Sequence, residues 1–199
     1  MRNPLRRPVR PWSLGAAGAL VLACGPARCV GDQLSAEVAS LEEDAAGTPL
    51  VCDETVGAPA SGCISGTLTC GSTVAGTTRG GDSLVSDPFY AGSFCFPSGD
   101  RHDGAERVYL FEAPPQMDVQ VKLDSPCADL DIAAVAWNYD GRCPTENHPV
   151  PECEGSNARG GATLRLNTFQ ARDYLIFVDG KQGAEGNFRL QVSCTPLVR

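Results

Sequence analysis

Strict alternation of apolar and polar residues is the feature that most limits what this chain can fold into. Between Met117 and Asp124 every second residue is apolar, and the same two-residue period recurs at Ala162–Thr168 and Phe188–Ser193. Such a period places one face of a β-strand on a core and the other in water, whereas an amphipathic helix needs a period of about 3.6 residues. These three segments are therefore predicted to be half-buried strands.

Other segments extend this prediction to a complete all-β domain. Leu130–Trp137 and Tyr174–Val178 are more continuously apolar, as in strands buried on both faces, and Thr67–Thr78 and Arg107–Phe111 bring the total to seven or eight strands. Turn-forming residues separate these segments, among them Gly80-Gly81-Asp82, Pro114-Pro115, Gly160-Gly161 and Asp179-Gly180. No helix is predicted between them. We expect an antiparallel β-sandwich of jelly-roll type.

The first 23 residues have the composition of an export signal. The apolar run Leu14–Ala23 is about half the length that spans a bilayer, and it follows a basic head that contains Arg2, Arg6, Arg7 and Arg10. Val21-Leu22-Ala23-Cys24 resembles the lipobox of bacterial lipoproteins, in which the cysteine is lipidated and the signal is cleaved before it. The alternative is ordinary cleavage near Gly25-Pro26-Ala27, which would release a freely secreted protein.

These features divide the chain into three parts. Residues 1–23 are predicted to be a lipoprotein signal peptide, residues 24–60 a mostly irregular tether, and residues 61–199 the sandwich domain. Lipid on Cys24 would place the protein at the outer membrane or cell surface, and Gly25 after it favours the outer membrane. Without the lipid we expect a secreted protein.

The charge of the chain argues against nucleic-acid partners. Four of the 16 basic residues precede Cys24, so the mature chain would keep 12 against 24 acidic residues. An acidic surface repels phosphates and anionic lipid headgroups. The expected membrane contact is therefore the lipid anchor, and the expected partners are a polysaccharide or a surface protein.

Ten cysteines fit an oxidising compartment. With Cys24 lipidated, Cys29 in the tether is the candidate for the unpaired residue. Proximity favours pairing of Cys143 with Cys153, and this disulfide is preferred to a zinc site with His148, because no Cys-x-x-Cys pair supplies the missing ligands. The other six have no predicted pairing: Cys52, Cys63, Cys70, Cys95, Cys127 and Cys194.

The closing strands resemble the bacterial pre-peptidase C-terminal domain. The similar stretches are Gly104–Phe111, Leu130–Ile132, Phe169–Gly180 and Gly186–Val192. The chain departs from that family at Arg172-Asp173, where a glycine is usual before the tyrosine, and at Phe188, which replaces a second tyrosine. The resemblance covers about Gly66 to Ser193. It implies a non-catalytic jelly-roll sandwich that accompanies secreted peptidases or surface proteins.

Candidate metal ligands are four loop or strand carboxylates. Calcium prefers six to eight oxygen ligands, and the acids that could contribute are Asp129, Asp131, Asp100 and Asp103. No EF-hand loop accompanies them, and solvated surface acids are the simpler interpretation. We therefore expect no cofactor, with calcium as the candidate if one is bound.

Catalytic signals are weaker still. His102, between Asp100 and Asp103, could act as a base oriented by an acid, but the sequence contains no Gly-x-Ser-x-Gly, His-Glu-x-x-His or phosphate-binding glycine loop. We expect a protein that is not an enzyme. An unrecognised secreted hydrolase, or an accessory domain of a secreted peptidase, remains the alternative.

Two aromatic residues are candidates for ligand contact. Trp137 and Tyr139 precede Asp140-Gly141 and could form a platform that stacks on sugars or peptides. The competing interpretation buries Trp137, which shares its strand face with Val135. The function expected from the whole sequence is a non-catalytic cell-envelope lipoprotein with a binding or structural module. The alternative is a calcium-dependent carbohydrate- or protein-binding domain.

Overall fold

A computed structural model describes residues 49–53, 56, 63–93, 95–96, 101–139, 142–145 and 147–198. The predicted signal peptide, Cys24, Cys29 and nearly all of the predicted tether lie outside these residues. No helix within the described part is long and apolar enough to cross a membrane.

The domain is a β-sandwich of two sheets, as the alternation predicts. A five-stranded sheet has the order β1-β3-β8-β5-β6 and a four-stranded sheet the order β2-β9-β4-β7. The strands are β1 (Ile64–Leu68), β2 (Thr73–Thr77), β3 (Arg107–Ala113), β4 (Met117–Asp124), β5 (Leu130–Trp137), β6 (Cys153–Ser156), β7 (Gly161–Thr168), β8 (Arg172–Gly180) and β9 (Asn187–Pro196). All pairs are antiparallel except β1 with β3, which is parallel.

The main core lies between the sheets. In β4, the apolar side chains of Val119, Val121 and Leu123 are buried, and the polar residues between them are more exposed. They pack with inward-facing residues of the other strands, including Phe111, Ile176 and Phe188. Burial of such side chains supplies most of the favourable free energy of folding. The half-buried strands predicted from the sequence are confirmed.

A second cluster covers the outer face of the five-stranded sheet. Here a six-residue helix, α1 (Asp87–Gly92), buries Phe89 and Tyr90 against Phe177 of β8. This cover explains why β5 and β8 are continuously apolar: both faces of each strand are buried. The prediction that the domain contains no helix is wrong, because α1 is too short to show a helical period.

The predicted strand Thr67–Thr78 is two strands in different sheets. The chain turns between β1 and β2 at Gly71, whose φ of +88° is in the left-handed region that glycine tolerates. The backbone N–H of Thr69 donates to Oγ of Ser72, 2.8 Å away, which closes the turn. The short and largely polar β6 was not predicted at all, so the strands number nine instead of seven or eight.

Four disulfides stabilise the domain, and they use the eight cysteines available after Cys24 and Cys29. They join Cys52 to Cys127, Cys63 to Cys143, Cys70 to Cys194 and Cys95 to Cys153. The predicted pairing of Cys143 with Cys153 is wrong. Cys153 opens β6, where the fold brings it to Cys95 beside α1, while Cys143 lies within bonding distance of Cys63.

The end of the predicted tether is attached to the sandwich. Besides the Cys52–Cys127 disulfide, Nη2 of Arg79 donates to the carbonyl oxygen of Cys52 at 3.1 Å. The side-chain amide of Asn187 donates to the carbonyl oxygen of Val51. Residues 51–52 are therefore held by the domain.

Candidate functional site

Several loops meet at one end of the sandwich, which we call the Phe169 end. It comprises the β3–β4 turn at Pro114–Gln116, the β7–β8 loop at Phe169–Ala171, and Trp137–Tyr139, which begins at the last residue of β5. Loops at the end of a sandwich are free of core packing, so they can carry binding residues on a rigid scaffold.

Phe169 is the most exposed aromatic side chain of the described residues, at 69%. Its backbone is nevertheless fixed, because Nε2 of Gln116 donates to the Phe169 carbonyl oxygen at 2.7 Å. Gln116 itself has φ of +59°, a left-handed conformation that is uncommon outside glycine, and its carbonyl accepts the N–H of Leu197 at 2.9 Å. The loop thus presents a large apolar ring from a supported backbone.

An acidic cleft of about 500 Å³ lies on one side of this loop. Its lining includes Glu112, Pro114, Trp137, Asn138, Arg172 and Asp173. Glu112 of β3 and Asp173 of β8 are directly opposite each other in the sheet register. Neither carboxylate has a hydrogen-bond or ion-pair partner among the described residues. Like charges placed opposite each other destabilise a sheet, so this pair is not explained by folding.

A second cleft of about 270 Å³ lies on the other side and shares Ala171 and Arg172 with the first. Here Nη1 of Arg172 forms an ion pair with Glu152, whose other oxygen accepts the Tyr174 hydroxyl at 3.3 Å. Burial and the nearby Glu152 charge raise the pKa of Tyr174. The two clefts and Phe169 form one continuous surface.

A separate cluster of polar groups lies inside the domain, around His102. The imidazole is 1% exposed, its Nε2 lies 2.9 Å from Oδ2 of Asp131, and its Nδ1 lies 3.3 Å from Oδ1 of Asp87. Phe96 stacks on the ring at 4.3 Å, and Tyr90 contacts it edge-on. Burial on its own lowers the pKa of His102, but the Asp131 hydrogen bond and the Asp179 and Asp131 charges outweigh it, so the pKa is raised.

Asp179 completes this cluster. It is opposite Asp131 in the β5–β8 register, is 1% exposed, and accepts the Tyr90 hydroxyl at 2.7 Å on Oδ2. Burial raises the pKa of Asp179 to about 7, against the lowering effects of Tyr90 and His102. A carboxyl group that holds its proton near neutral pH can share the site with a second carboxylate at lower electrostatic cost.

The predicted catalytic arrangement at His102 is not the one that forms. The carboxylates that hold His102 come from α1 and β5, while the neighbouring Asp103 is an exposed residue 3.9 Å from Arg101. Asp100 lies outside the described residues. His102 is almost fully enclosed in this structure.

The candidate calcium ligands within the described residues, Asp103, Asp129 and Asp131, have other contacts. Oδ2 of Asp131 faces His102, and the carbonyl oxygen of Asp129 accepts the N–H of Lys181 at 3.1 Å. The Asp103 carboxylate lies 3.9 Å from Nε of Arg101, and Asp100 lies outside the described residues. Among the described residues, no group of three or more His, Cys, Asp or Glu side chains is arranged to hold a metal ion. Calcium binding stays a prediction.

Trp137 and Tyr139 form a cluster with His148 instead of an open platform. Trp137 is 4% exposed and donates from Nε1 to the Tyr139 carbonyl oxygen at 2.9 Å, as the core interpretation expects. The Tyr139 and His148 rings both pack against it at 4.9 and 5.1 Å. Little of the Trp137 surface is available for stacking on a sugar, and ligand contact by Tyr139 stays a prediction.

Sequence reasoning missed the Phe169 end as a site. Phe169 was noted only as part of the family resemblance, although an aromatic residue just past the end of an alternating strand is a usable signal of exposure. Strand order determines which charged residues become neighbours, and the local sequence pattern does not reveal it. This applies both to the ion pair of Arg172 with Glu152 and to the opposed carboxylates of Glu112 and Asp173.

The fold and these surfaces define the chain as a disulfide-stabilised β-sandwich. No protein-family model and no curated protein matches it. Among solved structures it is similar to the pre-peptidase C-terminal domain of a collagenase from Bacillus anthracis, with a TM-score of 0.40, 9% identity, and coverage of 69% of this chain and 99% of that one. It is also similar to a periplasmic inhibitor of g-type lysozyme from Aeromonas hydrophila, with a TM-score of 0.38, 11% identity, and coverage of 65% and 96%.

Proposed function

We propose that this chain is an exported, non-catalytic β-sandwich module that binds a partner in the cell envelope and is anchored there by lipid on Cys24. The observation that carries the proposal is the set of four disulfides. Disulfides persist in oxidising compartments and are rare in the cytosol. The signal-like segment that ends at Cys24 supports the same compartment.

The disposition of the polar groups supports a binding role over catalysis. His102 is enclosed by Asp131, Phe96 and Tyr90, and His148 packs on Trp137, so both histidines have structural contacts. The exposed features are instead Phe169 and the two clefts beside it, which suit recognition of another molecule.

The intact mass of the protein from its native host, before and after reduction and alkylation, tests the anchor. We expect a chain that begins at Cys24, carries several acyl chains, and has eight cysteines protected until reduction. Cys24→Ser should abolish the acylated mass, and Cys29→Ser should keep it. An unlipidated chain that begins elsewhere would refute the lipid anchor and leave a secreted module.

A further inference from the structure

We infer that the Phe169 end is a protein-docking surface for a basic partner, with Phe169 as the apolar anchor and the Glu112–Asp173 pair as the site for a lysine or arginine side chain. This inference rests on the proposed binding function and names the surface and the partner chemistry.

The apolar part of the argument is the ring of Phe169. It is 69% exposed, although the rest of the loop is held by Gln116 and flanked by two concave surfaces. An exposed ring on a supported backbone loses little conformational entropy on binding, and aromatic anchors that fill a partner's pocket dominate many protein interfaces. The left-handed backbone conformation of Gln116 also supports a binding role for this loop, because strained backbone conformations cluster at functional sites.

The charge of the surface specifies the partner. Glu112 and Asp173 are opposed without a cation, and they line the cleft of about 500 Å³ that shares Arg172 with the second cleft. Arg172 is itself paired with Glu152, so it does not neutralise them fully. A lysine or arginine from a partner would relieve the repulsion and form charge-assisted hydrogen bonds.

Other occupants fit less well. The whole chain has a formal charge of −8, so a second copy would bring the same acidic surface and repel it, as would an anionic membrane. A polysaccharide could contact the exposed ring of Phe169, but it would leave the repulsion between Glu112 and Asp173 in place, and the neighbouring Trp137 is only 4% exposed. A basic protein surface with an apolar pocket matches both Phe169 and the acidic cleft.

The test is selection of short peptides from a randomised display library against the intact disulfide-bonded protein. We expect enrichment of peptides that combine lysine or arginine with apolar residues. Phe169→Ser and the double variant Glu112→Gln/Asp173→Asn should each weaken binding by about tenfold or more. Raising the salt concentration from about 0.05 to 0.3 M should weaken it too.

A matched control is Asp82→Asn/Glu185→Gln, which removes two exposed carboxylates at the opposite end and should leave binding unchanged. Enrichment of acidic or neutral peptides, equal binding to Phe169→Ser, or no enrichment would overturn the inference. Unchanged disulfide pairing and a thermal stability no lower than that of the unaltered protein exclude misfolding as the cause of a loss. The mass measurement on Cys24 is independent, so failure of the anchor and failure of the docking surface are distinguishable.

Discussion

Nε2 of His102 lies 2.9 Å from Oδ2 of Asp131, with both side chains 1% exposed. Asp179 is opposite Asp131 on the neighbouring strand. The His102 imidazole therefore forms a hydrogen bond with one buried carboxyl group and interacts electrostatically with a second. This cluster joins the segment at His102 to the five-stranded sheet, and burial raises the pKa of Asp179 within it to about 7. Its protonation therefore contributes to the stability of the fold.

Stability should fall as the pH rises from about 4 to 8. Asp179 keeps its proton in the folded chain up to a pKa of about 7, whereas the unfolded chain loses it near 3.8, so folding binds a proton in that window. The raised pKa of His102 acts in the same direction above 6.5. Each group contributes at most about 1.4 kcal/mol per pH unit to the fall. Urea unfolding at several pH values measures this change in the free energy of unfolding.

Asp179→Asn is the matched variant for this pH dependence. Asparagine keeps an oxygen that can accept the Tyr90 hydroxyl but cannot ionise, so the slope between pH 4 and 7 should flatten. A slope equal to that of the unaltered protein would show that Asp179 is not the group responsible.

His102→Gln should lower the free energy of unfolding by about 3 kcal/mol, because it removes the imidazole that forms a hydrogen bond with the buried Asp131 carboxylate. Adding Asp131→Asn should recover part of the loss. His148→Gln, which alters an imidazole in the loop beside Trp137, should cost about 1 kcal/mol or less. Chemical denaturation measures all three variants, and equal losses at the two histidines would contradict the prediction.

Gly180→Ala should destabilise the domain by more than about 2 kcal/mol. A Cβ at Gly180 would overlap the Ala184 carbonyl oxygen at 1.7 Å, so the backbone after β8 must move. Gly92→Ala is the control: no atom lies within 4 Å of its Cβ, and alanine is favoured over glycine in a helix. We expect a lower melting temperature for the first variant alone.

Peptide mapping without reduction should yield the pairs Cys63–Cys143 and Cys95–Cys153. Removing the second bond with Cys95→Ala/Cys153→Ala should cost about 4 kcal/mol, because the bond closes a loop of 58 residues in the unfolded chain. A peptide that links Cys143 to Cys153 would contradict the structure and restore the pairing favoured by proximity.

Strand prediction succeeded where the pattern is local. The predicted strands Met117–Asp124 and Leu130–Trp137 match β4 and β5 in both bounds. A strand buried on one face shows alternating apolar residues, and a strand buried on both faces shows a continuous apolar run, so both can be read from the sequence. Helix α1 was not predicted, because six residues are too few to show a helical period of apolar residues. Its stability comes instead from packing of Phe89 and Tyr90 on Phe177 of β8, which is distant in sequence. β6 escaped because it is short and mostly polar.

The polar clusters show the same difference between what local sequence predicts and what depends on strand order. The sequence marked His102 as a candidate base beside Asp100 and Asp103, and Asp131 as a candidate calcium ligand. It did not pair His102 with Asp131, since that contact spans 29 positions and depends on how the sheet and α1 pack. Glu112 and Asp173 became neighbours only through the β3–β8 register. Sequence distance carries little information about such pairs, because any two strands of a sandwich can become adjacent.

The sequence by itself determined the all-β class, the half-buried strands and the supply of cysteines for disulfides, because side-chain period and composition act within a few residues. Only the tertiary structure decided which cysteines bond, that His102 is buried between carboxylates, and that Phe169 lines one of two clefts that share Ala171 and Arg172. Those features follow from strand order and register, which are set by packing of the whole core and not by any local segment.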